Sequence, residues 1–151
     1  MKLAEALILR ADSQKRFAQL KSRLLTNAKV QEGDAPAEKP QDLIVELEST
    51  STELLELIKR INRTNSATYV IGGGTISDAL AERDVLALER AAYADLAQSA
   101  AITQGRFTRS EIKYVSTINI AKIQKRADEL SKKYRELDAR IQELNWQTEL
   151  I

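Results

Sequence analysis

Residues 119–144, NIAKIQKRADELSKKYRELDARIQEL, decide the fold. Their apolar side chains recur at alternating spacings of three and four residues, which is the pattern of a coiled-coil seam. The seam consists of Ile120, Ile123, Ala127, Leu130, Tyr134, Leu137, Ile141 and Leu144. Asn119 can cap the start of this helix, and Ile118 with Ile123 can form a hydrophobic staple. The stretch therefore predicts a long amphipathic helix that buries one side against other helices.

Glycine and proline cluster at three places, residues 33–40, residues 72–74 and Gly105. The segments between them are rich in Ala, Leu, Glu, Lys, Arg and Gln, which favour helices. They predict four helices, over about residues 2–30, 42–65, 76–104 and 119–150. A helix rises about 1.5 Å per residue, so the longest would span about 40 Å. The predicted fold is mainly α, an elongated antiparallel four-helix bundle or coiled coil that forms a single domain over residues 1–151.

Charge is distributed unevenly over the first two predicted helices. Residues 1–31 carry seven basic and two acidic side chains, whereas residues 32–58 carry one basic and eight acidic. Helix two also has a wide apolar face, made of Ile44, Leu47, Leu54, Ile58 and Ile61, with Ser51 at one seam position. Opposite charge selects neighbouring helices, although one surface ion pair contributes only about 0.2–1 kcal/mol. We therefore expect the first two helices to pack as an antiparallel pair.

Helices one and three each have two apolar faces. In helix three, one face holds Leu86, Tyr93 and Leu96, and the other holds Val85, Leu88, Ala92 and Ile102. In helix one, the stripe of Leu3, Phe17, Leu20 and Leu24 lies beside that of Leu7, Ala11, Ala18 and Leu25. A helix that is apolar on two sides must be covered on two sides. We therefore predict a homo-oligomer that assembles through helices one and three.

Two short segments lack helical character. Residues 68–71, TYVI, and residues 112–117, IKYVST, are β-branched and aromatic enough to form strands. We expect them to pair as a small two-stranded β element, which would need packing against the helices or against another copy.

Composition excludes much of enzyme chemistry. The 151 residues contain neither cysteine nor histidine, which removes disulfides, thiolate and imidazole catalysis, and nearly every Zn, Cu or haem site. The formal net charge is +1, so no overall attraction to nucleic acid is expected. Glu82, Arg83, Asp84 and Glu89 are the densest charged set near an apolar face, but their spacing is unspecific. We expect no catalytic residues, no metal and no cofactor.

The first residues contain charges at Lys2, Glu5, Arg10 and Asp12, which excludes a signal-peptide core there. No apolar run is long enough to cross a membrane, so the expected location is cytoplasmic and no transmembrane segment is expected. Residues 106–111, RFTRSE, resemble a nucleic-acid contact loop in composition alone, since two arginines carry little affinity. A solvated loop is the favoured interpretation.

Two polar segments are candidate binding sites. Residues 72–75, GGGT, precede helix three, and free N–H groups at a helix start attract anions. The phosphate-loop spacing with its lysine is missing, and Thr75 with Asp78 can form an ordinary cap, so a plain loop is the alternative. Residues 62–66, NRTNS, could hold an anion or could simply terminate helix two. The candidate ligand-binding residues are Asn62, Arg63, Asn65, Gly73 and Thr75.

Several polar strings together resemble the septicolysin-like family of small bacterial proteins. These strings are residues 2–7 with 10–12, 27–33, 61–65, 79–84, 109–113 and 145–150. The resemblance covers nearly the whole chain, and residues 69–74 depart from the family pattern. It implies no reaction, cofactor or catalytic residue, while the family name suggests membrane lysis. Helix one is the only segment that could lie on an anionic membrane surface, and the bundle needs its apolar face, so membrane binding is not expected.

The leading functional hypothesis is a non-enzymatic, homo-oligomeric structural or interaction protein. One alternative is a small anion- or nucleotide-binding protein whose site lies between the end of helix two and the start of helix three. A second alternative, which the family name alone suggests, is a membrane-active cytolysin.

Overall fold

The computed structural model describes residues 1–102 and 112–151, which contain four helices. The helices are α1 (Leu3–Thr26), α2 (Pro40–Ala67), α3 (Ile76–Ala100) and α4 (Ile120–Gln147). Their number and order confirm the mainly helical class, and helical packing of this kind fits the predicted bundle. The chain divides into two compact units, the first Met1–Ile76 with Gln142–Ile151 and the second Ser77–Ile141. The single domain over residues 1–151 stays a prediction.

In the first unit, α1 and α2 form an antiparallel pair. Arg16 lies 3.7 Å from a carboxylate oxygen of Glu46, and Arg23 Nε donates to Glu38 at 3.0 Å. The later residue of α1, Arg23, contacts the earlier residue of the partner segment, Glu38, so the two helices run antiparallel. The buried apolar side chains of these two helices include Leu3, Ala6, Leu20, Leu43 and Ile61. The charge-based prediction of this pair is confirmed.

α1 ends at Thr26, four residues before the predicted end, because Asn27 terminates the helix. Both the backbone N–H and the side-chain Nδ2 of Asn27 donate to the carbonyl of Arg23, at 3.1 and 2.9 Å. The Asn27 Oδ1 accepts from the backbone N–H of Glu38 at 3.1 Å. One buried amide therefore closes the loop between α1 and α2, and Gly33 supplies the positive φ of 90° that the loop needs.

The two ends of the chain meet in the first unit. The Leu3 N–H donates to the Thr148 carbonyl at 2.9 Å, and the Leu150 N–H donates to the Met1 carbonyl at 2.8 Å. The Glu149 carboxylate forms ion pairs with the Met1 ammonium group, 3.1 Å from Oε2, and with Lys2 Nζ, 2.6 Å from Oε1. We call these contacts the terminal bridge. Because residues 148–150 take part in the bridge, α4 ends at Gln147 rather than at the predicted residue 150.

In the second unit, α3 packs antiparallel to α4. Arg83 donates to Asp138 at 2.8 Å, while Arg90 lies over the Tyr134 ring, 5.1 Å from its centroid. All eight predicted seam residues of α4 are buried or half-buried, which confirms the seam. The predicted cap is also confirmed, because Asn119 Oδ1 accepts the backbone N–H of Lys122 at 3.1 Å.

The predicted two-stranded β element is not found among the described residues. Tyr69 forms an isolated bridge with Thr75 instead, across the turn of residues 70–74. The Val70 N–H donates to the Gly74 carbonyl at 2.9 Å, so this segment satisfies its backbone within its own connection. Residues 112–117 form no strand, and the side chains of residues 112–115 are exposed. β-Branched composition at these two places therefore does not produce pairing between them.

Candidate functional site

α3 has one covered face and one exposed apolar face. The covered face includes Arg83, Leu86, Arg90 and Tyr93, all half-buried. The exposed face consists of Val85, Leu88, Ala92 and Leu96, which we call the α3 stripe. Its members follow one another at spacings of three, four and four residues, so they lie along one line of the helix. The prediction of two apolar faces is confirmed with two corrections: Leu96 belongs to the exposed face, and Ile102 lies beyond α3, which ends at Ala100 rather than at the predicted residue 104.

The α3 stripe is large and is flanked by acid. Leu88 is 72% exposed and Val85 is 59% exposed, and full burial of such a side chain would stabilise by about 1.5–3 kcal/mol. The flanking Glu82, Asp84 and Asp95 are exposed. The two arginines of α3 lie on the side that contacts α4. The solvent-exposed surface of α3 is therefore an apolar stripe bordered by acidic side chains.

A second apolar surface lies in the first unit. α1 and the end of α4 enclose a groove of about 370 Å³, which we call the terminal groove. Ile8 is 53% exposed and Trp146 is 56% exposed. The residues that line the groove are Ala4, Leu7, Ile8, Ala11, Gln142, Asn145 and Trp146. Exposed apolar concavities of this kind are typical of interaction sites.

The C-terminal segment is anchored by a threonine of α2. Thr64 is fully buried, and its hydroxyl donates to the Arg60 carbonyl at 2.9 Å and accepts the Ile151 N–H at 3.0 Å. Arg60 Nε in turn donates to the Ile151 carbonyl at 3.2 Å. In the sequence, Thr64 belongs to the polar cluster of residues 62–66 at the end of helix two. Its partner lies 87 positions away in the sequence, so no local pattern could reveal this role.

The predicted ligand-binding residues lie in or near the connection between α2 and α3. Asn62 and Arg63 are exposed on α2, Asn65 and Thr75 are half-buried, and Gly73 is exposed in the turn. The Gly73 N–H donates to the Val70 carbonyl at 3.1 Å, so that amide already has a partner. The connection is closed by further backbone bonding, since the Ile76 N–H donates to the Thr68 carbonyl at 2.9 Å. Anion binding by these residues stays a prediction.

Carboxylates near the apolar faces take part in ion pairs. Asp138 binds Arg83, and this hydrogen bond raises the pKa of the Arg83 guanidinium. Glu89 lies 3.8 Å from Arg126. Arg83 is also within 3.6 Å of Asp84, whose side chain is largely exposed. In residues 1–102 and 112–151, no group of three or more acidic side chains could hold a metal ion.

Two buried polar atoms were missed by sequence analysis. Thr50 is 2% exposed, and its Oγ1 has no hydrogen-bond partner among the described residues. The same holds for Nε of Arg10. The sequence predicted a polar seam position one residue later, at Ser51, which is exposed. The predicted solvated loop of residues 106–111 lies outside the described residues.

Residues 1–102 and 112–151 define a class of mainly helical protein, in which four helices carry an exposed apolar stripe on α3 and an apolar groove beside α1. Residues 10–150 match a family of unknown function, DUF6847, and the chain belongs to that family. A crystal structure of a functionally unknown conserved protein from Corynebacterium diphtheriae is similar to it, with 51% sequence identity and a TM-score of 0.94. The similarity covers 100% of this chain and 99% of that one. No curated protein matches the chain.

These comparisons overturn the septicolysin-like resemblance. The family match and the similar structure both concern proteins of unknown function, and neither points to septicolysin. The prediction of that family was wrong, because short polar strings that match in order do not by themselves define a family. The cytolysin alternative depended on the family name and is withdrawn with it. Within the described residues, no helix has the length and apolar character needed to cross a membrane.

Proposed function

We propose that this chain is a non-enzymatic helical protein that acts by associating with further copies of itself through the α3 stripe. The observation that carries the proposal is the exposure of Val85, Leu88 and Leu96 on a helix whose opposite face already contacts α4. A second contact would cover the remaining apolar face.

The size of the stripe supports a specific contact. It covers twelve residues from Val85 to Leu96, and the eleven rises of about 1.5 Å between them give about 16 Å of helix. Burial of its side chains would contribute about 1.5–3 kcal/mol for each large residue. Loss of translational and rotational freedom on association costs about 4–15 kcal/mol. Three large side chains that are already partly covered gain no more than this cost, so the stripe alone supports at most weak association and a tight contact needs additional surface.

The chemistry of the chain supports a role other than catalysis. Neither cysteine nor histidine is present. Two carboxylates that join α3 to α4, Asp138 and Glu89, each pair with an arginine of the other helix. Such pairs fix the packing of helices and leave these groups poorly placed to transfer protons.

Light scattering during size-exclusion chromatography tests the proposal. The wild-type chain should elute with a mass above that of one chain, and Leu88→Glu should elute as one chain, because a charge in the contact would be buried without a partner. Leu55→Glu is the matched control, since Leu55 is an exposed leucine of α2 and lies outside the stripe. If Leu88→Glu retains the wild-type mass, the stripe is not the contact.

A further inference from the structure

We propose that the α3 stripe of one copy docks into the terminal groove of the next copy. This inference rests on the proposed function and names the surface that receives the stripe. The contact would be heterologous, because the two surfaces differ and each copy carries both.

The terminal groove can receive an apolar helix. It lies between α1 and the end of α4, and its lining combines the small Ala4 and Ala11 with the larger Ile8 and Trp146. A groove of this kind accepts an amphipathic helix whose anchors recur every three or four residues. The α3 stripe supplies that spacing.

The charges of the two helices are complementary. α1 carries five basic and two acidic side chains, whereas α3 carries two basic and five acidic. Both arginines of α3, Arg83 and Arg90, are engaged with α4, so the side that faces solvent is acidic. On α1, the exposed Lys15 lies on the same side as Ile8 and Ala11. Arg16 and Arg23 of α1 pair with carboxylates on the α2 side, so the acidic border of the stripe would approach Lys15 in particular.

The same charges disfavour pairing of α3 with itself. In an antiparallel pair of α3 helices with its axis near residue 90, Leu88 would face Ala92. The same arrangement would bring Asp84 of one copy close to Asp95 of the other. Like charges at such positions destabilise a contact. A second copy that offers its groove is therefore a better partner than one that offers its own stripe.

A complementation experiment separates the two modes of association. Ile8→Glu places a charge in the groove and Leu88→Glu places one in the stripe, at side chains that are more than half exposed and so tolerate polar replacement. Each variant alone should associate at least about tenfold more weakly than the wild type. Mixed in equal amounts, the two variants should form a dimer, because one intact groove and one intact stripe remain. Sedimentation velocity measures the mass in each case.

The emission of Trp146 gives a second measurement. It is the only tryptophan of the chain and lines the groove, so docking of the stripe should shift its emission to shorter wavelength as concentration rises. Leu88→Glu should abolish the shift, and Leu55→Glu should retain it. Far-ultraviolet circular dichroism checks that each variant is folded, and the glutamine variants I8Q and L88Q replace any that is not.

Three outcomes would overturn parts of this account, and they are distinguishable. If Ile8→Glu associates as the wild type does, or if the mixture of variants stays monomeric while the wild type associates, the groove is not the receiving surface. Association through the stripe then survives. If the wild type itself stays monomeric, the proposed function fails as well.

Discussion

Thr50 and Thr64 are two buried threonines of α2 whose hydroxyl groups differ in their hydrogen bonding. The Thr50 hydroxyl has no partner among the described residues, whereas the Thr64 hydroxyl has two. A buried hydroxyl without a partner costs about 1–3 kcal/mol. We therefore expect Thr50→Val to raise the free energy of unfolding by about 1 kcal/mol and Thr64→Val to lower it by a similar amount. Urea unfolding measures both, and equal losses of stability in the two variants would contradict this interpretation.

Glu149 makes the terminal bridge sensitive to pH. The hydrogen bond from Lys2, and then that from the Met1 ammonium group, lower the pKa of the Glu149 carboxyl. A carboxyl whose pKa is lower in the folded state contributes stability that is complete above its unfolded pKa and lost as pH falls through its folded pKa. The bridge should therefore stabilise the chain at neutral pH and stop doing so in acid.

The comparison of wild type with Glu149→Gln tests this dependence. At neutral pH and low salt, the wild type should melt at a slightly higher temperature, because exposed ion pairs contribute little and are screened by salt. The difference in melting temperature should vanish in acid below the lowered pKa of Glu149. A difference that persists unchanged there would show that the bridge does not depend on charge.

At the scale of the element, α4 depends on its seam. Leu130 is almost fully buried in the middle of that helix. In Leu130→Asp an unpaired charge would enter the apolar contact at a cost of several kcal/mol, so the variant should lose most of its helical signal. Ala139→Asp, at an exposed position of the same helix, should remain folded. Circular dichroism measures both, and full helicity in Leu130→Asp would show that the seam does not support the fold.

Local patterns explain which elements could be predicted from sequence. The α4 seam follows from a periodicity that tertiary contacts do not alter, and the antiparallel pairing of α1 with α2 follows from opposite charge. The strand predicted over Thr68 to Ile71 does not pair with residues 112–117, because the backbone of this segment forms hydrogen bonds within its own turn, between Val70 and Gly74. The end of α1 was placed too late, because the termination by Asn27 depends on Glu38 of a later segment.

The candidate surfaces were predictable in part. The exposed face of α3 follows from its helical spacing, whereas the groove needs the C-terminal end of α4 to lie beside α1. The roles of Thr64 and Glu149 in holding the chain ends depend on contacts 87 and more than 140 positions apart in the sequence. No pattern within a single element carries that information.

At the scale of the whole molecule, the predicted single domain can be tested by unfolding. Trp146 reports on the first unit alone, whereas circular dichroism reports on the helices of both. If the two units unfold as one domain, urea transitions followed by the two signals will coincide. The Leu88→Glu variant is the suitable protein, since association would otherwise shift the transition. Two separate transitions would show that the units unfold independently.

The most direct test of the central claim is sedimentation equilibrium of the wild-type chain over a wide range of concentration. Copies are predicted to associate through the exposed apolar side chains of α3, so the weight-average mass of the wild type should rise with concentration. The mass of the Leu88→Glu variant should remain that of one chain. A wild-type mass that stays at one chain up to millimolar concentration would contradict the account.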